Sequence, residues 1–348
     1  MIADLILKLQ KKTNLAYDEM NSVMTDVLSG KTDNMQNADF LSFLALKGET
    51  DDELLGMLDK MQEFALKVEP EISGTVIDMC GTGGDALQTF NVSTTASFVV
   101  AASGGIVAKH GNRSSSGVSG SADIFEYFGY DLNQEPAQIA DVLEKYRICF
   151  MFAQKFHPAM RHVSPARKQL GKRTAFNLLG PLSNPAGVKN QLVGVFSAEY
   201  LDRLPEILKR KGSENVMTVR SDDGMDEFST SAVNRVCILK KDSVLMNAID
   251  PEAVGLHKSK LTDIQIKSKE DAIRSFVGVL DNTANQAMIE TTALNAAGGL
   301  IVANIANNFE EGVEIALNTI RDGKAMSLLE KFVGHTGDIS KLREVVDG

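Results

Sequence analysis

The chain has no tryptophan, three cysteines and five histidines in 348 residues. The cysteines, Cys80, Cys149 and Cys237, are odd in number, far apart and set in apolar runs. That excludes a disulfide framework and reads as buried, reduced thiols. No cysteine or histidine has the spacing of a zinc site. Long apolar runs are lacking too. The most apolar stretch, Phe98 to Ala108, is too short to span a bilayer and is interrupted by Ser103, Gly104 and Gly105. The first residues are amphipathic, with an acid at Asp4 and no small-residue cleavage site, so they read as a helix and not a signal peptide. These features predict a cytoplasmic protein with no membrane partner. Positive charge is also short: 36 Lys and Arg against 46 Asp and Glu leave a net charge of −10. A general nucleic-acid binder needs a basic surface, so the chain is a poor candidate for that class, although a local basic cluster can still bind a small phosphorylated ligand.

What remains is a chain that is 43% hydrophobic, enough for two domains or one large domain with an appendage. Residues 1–69 read as helical. Met20, Val23, Met24, Val27 and Leu28 form one helical stripe that Gly30 ends. A second helix is expected over Ala38–Lys47, and Thr50-Asp51-Asp52-Glu53 is a capping box that opens a third. After Pro70 the pattern changes to strand, loop and helix in alternation. Strands are expected at Thr75–Met79, Ile106–Ala108, Ile148–Phe152, Leu192–Phe196, Asn215–Val219 and Val236–Leu239, with helices at Ser93–Ala102, Ala122–Phe128, Pro136–Tyr146 and Tyr200–Lys211. This is an α/β pattern with a mainly parallel central sheet and flanking helices. Residues 154–187, rich in Arg, Lys, His and Pro, break the rhythm; from Asp271 onward the chain reads as helical.

Three segments carry chemistry. Cys80-Gly81-Thr82-Gly83-Gly84-Asp85 follows the first strand, and glycines there let backbone N–H groups approach phosphate oxygens at the sheet's carboxyl edge. Thr89 to Thr95 then places short polar side chains at a helix start, where an anion is favoured. No Gly-Lys-Ser/Thr closes the loop, so it is not a Walker A element. The second segment, Lys109-His110-Gly111-Asn112-Arg113-Ser114-Ser115-Ser116-Gly117 with Ser119-Gly120-Ser121-Ala122-Asp123, is too polar for a core and suits a highly charged ligand. The third, Asp222-Asp223-Gly224-Met225-Asp226-Glu227, offers carboxylates of the kind that hold Mg²⁺.

These motifs, with Arg173-Thr174-x-Phe176-Asn177-x-Leu179-Gly180-Pro181-Leu182-x-Asn184-Pro185, resemble in order and spacing those of anthranilate phosphoribosyltransferases, and the resemblance runs over nearly the whole chain. It implies a small helical domain (1–69 plus about 163–187) and a large α/β domain (70–162 plus about 188–348), with the active site between them and a homodimer formed through the small domains. It implies that Gly81, Gly84, Asp85, Thr89, Asn91, Val92, Ser93 and Thr94 bind phosphoribosyl pyrophosphate, and that Lys109, His110, Gly111, Asn112, Arg113, Ser114, Ser115, Ser116, Gly117 and Ser121 close over its phosphates. Ser93, Asp226 and Glu227 would hold magnesium, two ions per site. Gly81, Asn112 and Arg167 would position anthranilate, Arg167 at its carboxylate, with His110 and His157 as further lining. Lys109, Asn112 and Arg167 would be the catalytic set. The chain departs from the family at Gly117-Val118, where a Ser and then a Lys or Arg are usual, and at Ala166, where Val is common. Two rivals share the fold. A pyrimidine-nucleoside phosphorylase is generally longer and has a different first loop. A non-catalytic nucleic-acid-binding relative should be basic and should have lost the metal pair.

Overall fold

The computed structural model describes residues 2–85, 87–114 and 117–348. Four helices open the chain: α1 (Ile2–Gln10), α2 (Tyr17–Leu28), α3 (Asn34–Lys47) and α4 (Asp51–Glu63). The expected stripe Met20, Val23, Met24, Val27 and Leu28 is the buried face of α2. The capping box at Thr50 is present: Glu53 N–H donates to Thr50 Oγ1 (3.3 Å), and Thr50 N–H donates to Glu53 Oε2 (2.8 Å). Glu53 is itself fully buried, and Lys47 Nζ (2.8 Å) and Leu15 N–H (2.8 Å) complete its shell.

Alternation then begins with β1 (Val76–Gly81), α5 (Val92–Ala102), β2 (Ile106–Gly111), α6 (Ser121–Tyr127), α7 (Pro136–Tyr146) and β3 (Ile148–Phe152). Three short helices follow: α8 (Ala153–Phe156), α9 (Ser164–Leu170) and α10 (Ala175–Leu182), with a 3₁₀ turn at Pro158–His162. The rest runs β4 (Asn190–Gly194), α11 (Tyr200–Arg210), β5 (Asn215–Ser221), β6 (Asn234–Lys240), β7 (Ser243–Ile249), α12 (Lys269–Leu280), α13 (Gln286–Val302), α14 (Phe309–Arg321), α15 (Lys324–Thr336) and α16 (Ile339–Asp347).

The chain divides into two compact units, one of residues 1–67 and 153–187, the other of 68–152 and 188–348. The sequence reading assigned 153–162 to the sheet domain. Here α8 starts directly after β3, and Leu66 N–H donates to Phe156 O (2.9 Å), so these residues fall with the helical unit.

The larger unit is built on a seven-stranded sheet of order β3-β2-β1-β4-β5-β6-β7. The first five are parallel, and β6 and β7 add on antiparallel. β7 had no sequence signal. It is an edge strand on which only Ile249 is buried, so it carries no apolar alternation to read. α13 packs with α5 and α14, and small residues allow the approach: a Cβ on Gly299 of α13 would lie 2.9 Å from Val100 Cγ2 of α5, and one on Gly312 of α14 would lie 2.8 Å from Ala297 Cβ of α13. An aromatic cluster closes the core, with Phe98 5.5 Å from both Phe276 and Phe332, centroid to centroid. Each such ring contributes about 2–3 kcal/mol by burial.

Strand order reverses at β1. β2 and β3 lie on one side of it and β4 and β5 on the other, so the switch point falls between β1 and β4. In open α/β sheets the crevice at the carboxyl ends of such strands is where ligands bind.

Candidate active site

Glycines form the floor of that crevice. Gly81 ends β1, Gly194 ends β4, and the two are paired in register. Asp226 packs against both: a Cβ on Gly81 would lie 2.6 Å from its Oδ2, and one on Gly194 would overlap its backbone carbonyl. Sequence reading missed Gly194. Its signal was a glycine within an apolar strand, which marks a close backbone approach. Thr82 N–H donates to Gly194 O (2.8 Å), and Gly83 and Gly84 take positive φ (71° and 85°), a turn that only glycine enters cheaply.

The acidic loop meets this turn. Gly83 N–H donates to Asp226 Oδ2 (2.6 Å). Glu227 Oε1 accepts from the Ser93 backbone N–H (3.0 Å) and from the Ser93 hydroxyl. Ser93 is in the first turn of α5, so Glu227 lies at the positive end of that helix. Asp85, Ser93, Asp226 and Glu227 are therefore drawn together from three separated stretches of sequence.

Four acids of the loop have different fates. Asp222 forms a surface ion pair with Arg235 (2.9 Å). Asp223 is partly buried, but hydroxyls from Ser229 (2.6 Å) and Ser231 and the Met225 N–H (3.1 Å) outweigh that burial and hold its pKa below the usual range. Asp226 is pushed well up, first by burial and then by the neighbouring charges of Glu227 and Asp85. Glu227 is pushed up to about 7 by burial, despite the Ser93 hydrogen bond. For these two, burial and the repulsion of neighbouring carboxylates outweigh the nearby positive charge of Lys109. Beside them Asn295 donates to Phe228 O (2.7 Å) and accepts from Phe228 N–H (3.0 Å), fixing the residue after Glu227. Asn295 escaped the sequence reading, and Asp223, offered there as one metal-type carboxylate of the acidic segment, is instead enclosed by hydroxyls.

The second polar segment differs in part from its expectation. Lys109, His110 and Gly111 are not loop residues; they end β2. Lys109 is 2% exposed, and its Nζ donates to Met79 O (2.7 Å). Burial lowers its pKa, against the pull of Asp78, Cys80 and Glu227. Asp78, a charge inside the apolar β1, accepts from the N–H groups of Met79 (2.8 Å) and His110 (3.2 Å). Beyond β2 the chain does form a loop. Asn112 O accepts from Ser121 Oγ (3.2 Å) and Ala122 N–H (3.2 Å), Gly117 N–H donates to Ser114 Oγ (2.6 Å), and Asn91 Nδ2 donates to Ser119 O (3.3 Å). Arg113 is held in a fork by Glu126 (2.6 and 2.7 Å), with Asp123 at 3.3 Å. The expected residues Ser115 and Ser116 lie outside the described residues. At the entry to α5, Thr89 bridges to Gln265, while Val92 and Thr94 are buried and offer the site mainly backbone. The Cys80 thiol is pushed up by burial, which removes it as a nucleophile.

Arg167 and His157 belong to the helical unit. Arg167 stacks over Phe176 (5.5 Å), and Nη2 lies 3.4 Å from Asn177 Oδ1. Burial lowers its pKa, and no acidic group opposes the shift. His157 is 6% exposed, and burial brings it down to about 4 against hydrogen bonds at Met61 and Ser183, so it is neutral at pH 7.

The donor set suits Mg²⁺. It comprises hard oxygens from two carboxylates and a hydroxyl, and the carboxylates are short of positive charge. Among the described residues no group of three or more His, Cys, Asp and Glu forms a complete cage. Mg²⁺ is commonly held by one or two carboxylates, with phosphate and water supplying the remaining ligands, so a partial set is what it needs. Among the described residues no helix is long and apolar enough to cross a membrane.

Residues 3–65 match the helical bundle domain of a glycosyl transferase family, and residues 73–326 match that family's α/β domain. An anthranilate phosphoribosyltransferase of Nitrosopumilus maritimus is 82% identical over the full length of both chains. One from Cenarchaeum symbiosum is 51% identical over 97% of this chain and 98% of its own. The crystal structure of the Thermus thermophilus enzyme superposes with a TM-score of 0.89 at 36% identity, covering 94% of this chain and 98% of that one. The Saccharomyces cerevisiae enzyme in complex with PRPP and Mg gives 0.85 at 25% identity, covering 95% and 97%.

Proposed function

The chain belongs to the anthranilate phosphoribosyltransferases, which join a 5-phosphoribosyl group to the amine of anthranilate with release of pyrophosphate in tryptophan biosynthesis, and from that premise we propose how its residues divide the work. The observation that carries the reading is the convergence of the Gly81–Asp85 turn, Ser93 and the Asp226–Glu227 pair at the sheet's switch point.

Gly81, Gly84, Asp85, Thr89, Asn91, Ser93 and Thr94 take phosphoribosyl pyrophosphate, backbone N–H groups and the α5 N-terminus facing its anionic oxygens. Ser93, Asp226 and Glu227 hold Mg²⁺, two ions per site. When bound, the metal supplies positive charge to the pyrophosphate as the bond to the ribose anomeric carbon breaks. Lys109 adds a fixed positive charge from within β2 rather than from a mobile loop. Arg113 is available to phosphate only after leaving Glu126 and Asp123, so its part is secondary.

Within the helical unit, Arg167 meets the anthranilate carboxylate and the neutral His157 lines the aromatic acid; Asn112 and His110 keep the anthranilate role that the family resemblance implies. The aromatic amine is uncharged at pH 7, so the chain needs no strong general base. Its task is to hold the two substrates in line and exclude water. The three cysteines, none of them joined in a disulfide, favour a reducing, cytoplasmic setting. Exposed Leu7, Met35 and Leu46 on the helical unit favour a homodimer through that unit.

The test is loss of anthranilate fluorescence with phosphoribosyl pyrophosphate and Mg²⁺, each omitted in turn. Consumption should require both. Consumption that persists without the donor, or after chelation of the metal, overturns the assignment.

A further inference from the structure

Helix α10 begins at a threonine that does not cap it. Thr174 occupies the N-cap position, yet no cap hydrogen bond comes from its side chain. Thr50, at the equivalent position of α4, accepts from the N–H three residues on (3.3 Å). At α10 only half of that exchange is present: Thr174 N–H donates to Asn177 Oδ1 (3.1 Å), and the hydroxyl gives nothing back. Thr174 is 7% exposed, and its Oγ1 is buried with no hydrogen-bond partner among the described residues. A buried, unsatisfied hydroxyl costs about 1–3 kcal/mol, so its retention calls for an explanation.

A second orphan lies beside it. The Asn177 Oδ1 that holds the Thr174 N–H is also the one nearest Arg167 Nη2 (3.4 Å). Arg167 is largely withdrawn from water, and no acid among the described residues balances it. Arg167 and the Thr174 backbone N–H thus share one acceptor atom, with the unsatisfied hydroxyl at the same helix N-terminus. All three favour an anion, and the planar guanidinium beside a hydroxyl matches a carboxylate with two oxygens.

We propose that the Thr174 hydroxyl, at the N-terminus of α10 beside Arg167, is a second anchor for the carboxylate of anthranilate. This rests on the assignment of Arg167 to that carboxylate. Arg167 supplies the charge, and Thr174 donates to the carboxylate and fixes the rotation of the aromatic ring about it. The site then selects aromatic amines that carry a carboxylate and discriminates against those that lack one.

The test is steady-state kinetics of T174V, T174S and R167Q, with a thermal melt of each. T174V removes an unsatisfied hydroxyl, so its melting temperature should hold or rise. Its anthranilate KM should rise about tenfold while the phosphoribosyl pyrophosphate KM stays within about twofold. T174S keeps the hydroxyl and should bring the anthranilate KM back to within about threefold of the parent. An unchanged anthranilate KM in T174V, or an equal rise in both Michaelis constants, overturns the proposal. A lower melting temperature restored in T174S, with kinetics unaltered, overturns it in favour of a packing role. R167Q separates the two levels. If R167Q raises the anthranilate KM and T174V does not, only the threonine anchor fails; if R167Q does not raise it, the arginine assignment fails first.

Discussion

The sheet unit and the helical unit each hold charge that the protein leaves unbalanced, and the signs are opposite. At the switch point Asp226 and Glu227 bring more negative charge than nearby Lys109 offsets. At the start of α10 Arg167 is a cation short of an anion. Elsewhere the same chain balances its buried charges with care. Glu53 is fully buried and has Lys47 and two N–H groups around it. Asp223, three residues before Asp226, sits among hydroxyls. A protein able to satisfy these acids has left others unsatisfied, and the sign of each deficit identifies the missing ligand: a metal with its phosphates in one unit, a carboxylate in the other.

Breaking the comparison on the negative side should have the largest effect. D226N/E227Q together should lower Mg²⁺-supported turnover by at least about a thousandfold. The same change relieves buried repulsion, so the metal-free melting temperature should hold or rise by about 2–4 °C. Activity near the parent value would remove the metal assignment, and a lower melting temperature would show that the pair is structural. On the positive side, R167Q should raise the anthranilate KM about a hundredfold and the donor KM far less, again without loss of stability. Equal effects on both substrates would dissolve the distinction between the units.

Lys109 sharpens the contrast, because it is a buried cation beside the acidic pair that does not offset it. K109M should lower kcat about 10- to 100-fold, with smaller changes in either KM, if its charge acts on the developing pyrophosphate. An unchanged kcat would assign it to ground-state binding or to support of β2, which a thermal melt separates.

The smallest effect concerns His157. Burial depresses its pKa from 6.5 to about 4, so the unfolded chain binds more protons than the folded one between those values. Its contribution is complete above pH 6.5 and is lost as pH falls towards 4, up to about 3 kcal/mol in all. Urea melts across that range should therefore show an acid limb, and H157Q should flatten it. An acid limb of the same depth in H157Q would place the titration elsewhere.

Much of this could be read from the residues. The apolar stripe of α2 and the capping box at Thr50 are legible in the helical unit, and the strand-loop-helix alternation is legible in the sheet unit from short apolar runs closed by loops. The two glycine-rich turns and the acidic loop were visible as clusters of residues with no place in a core. Other features were hidden for identifiable reasons. β7 lies at the sheet edge and has little to bury, so it leaves no periodic trace. Lys109 and His110 read as loop because they are polar, yet pairing with β3 extends β2 through Gly111. Gly194 and Asn295 act on the acid loop from far along the sequence, so only the folded chain reveals their role. The difference between Asp223 and Asp226 is likewise invisible in sequence, since it depends on which hydroxyls fold over which carboxylate.

The central claim is that Asp226 and Glu227 are held against the Gly83 turn and Ser93 to receive a divalent cation together with pyrophosphate. Its most direct test is Mn²⁺ binding in the presence of pyrophosphate, followed by electron paramagnetic resonance, on the parent chain and on D226N/E227Q. The parent should bind the ion, and the double variant should bind it at least about a hundredfold more weakly. Equal binding by both chains would contradict the account.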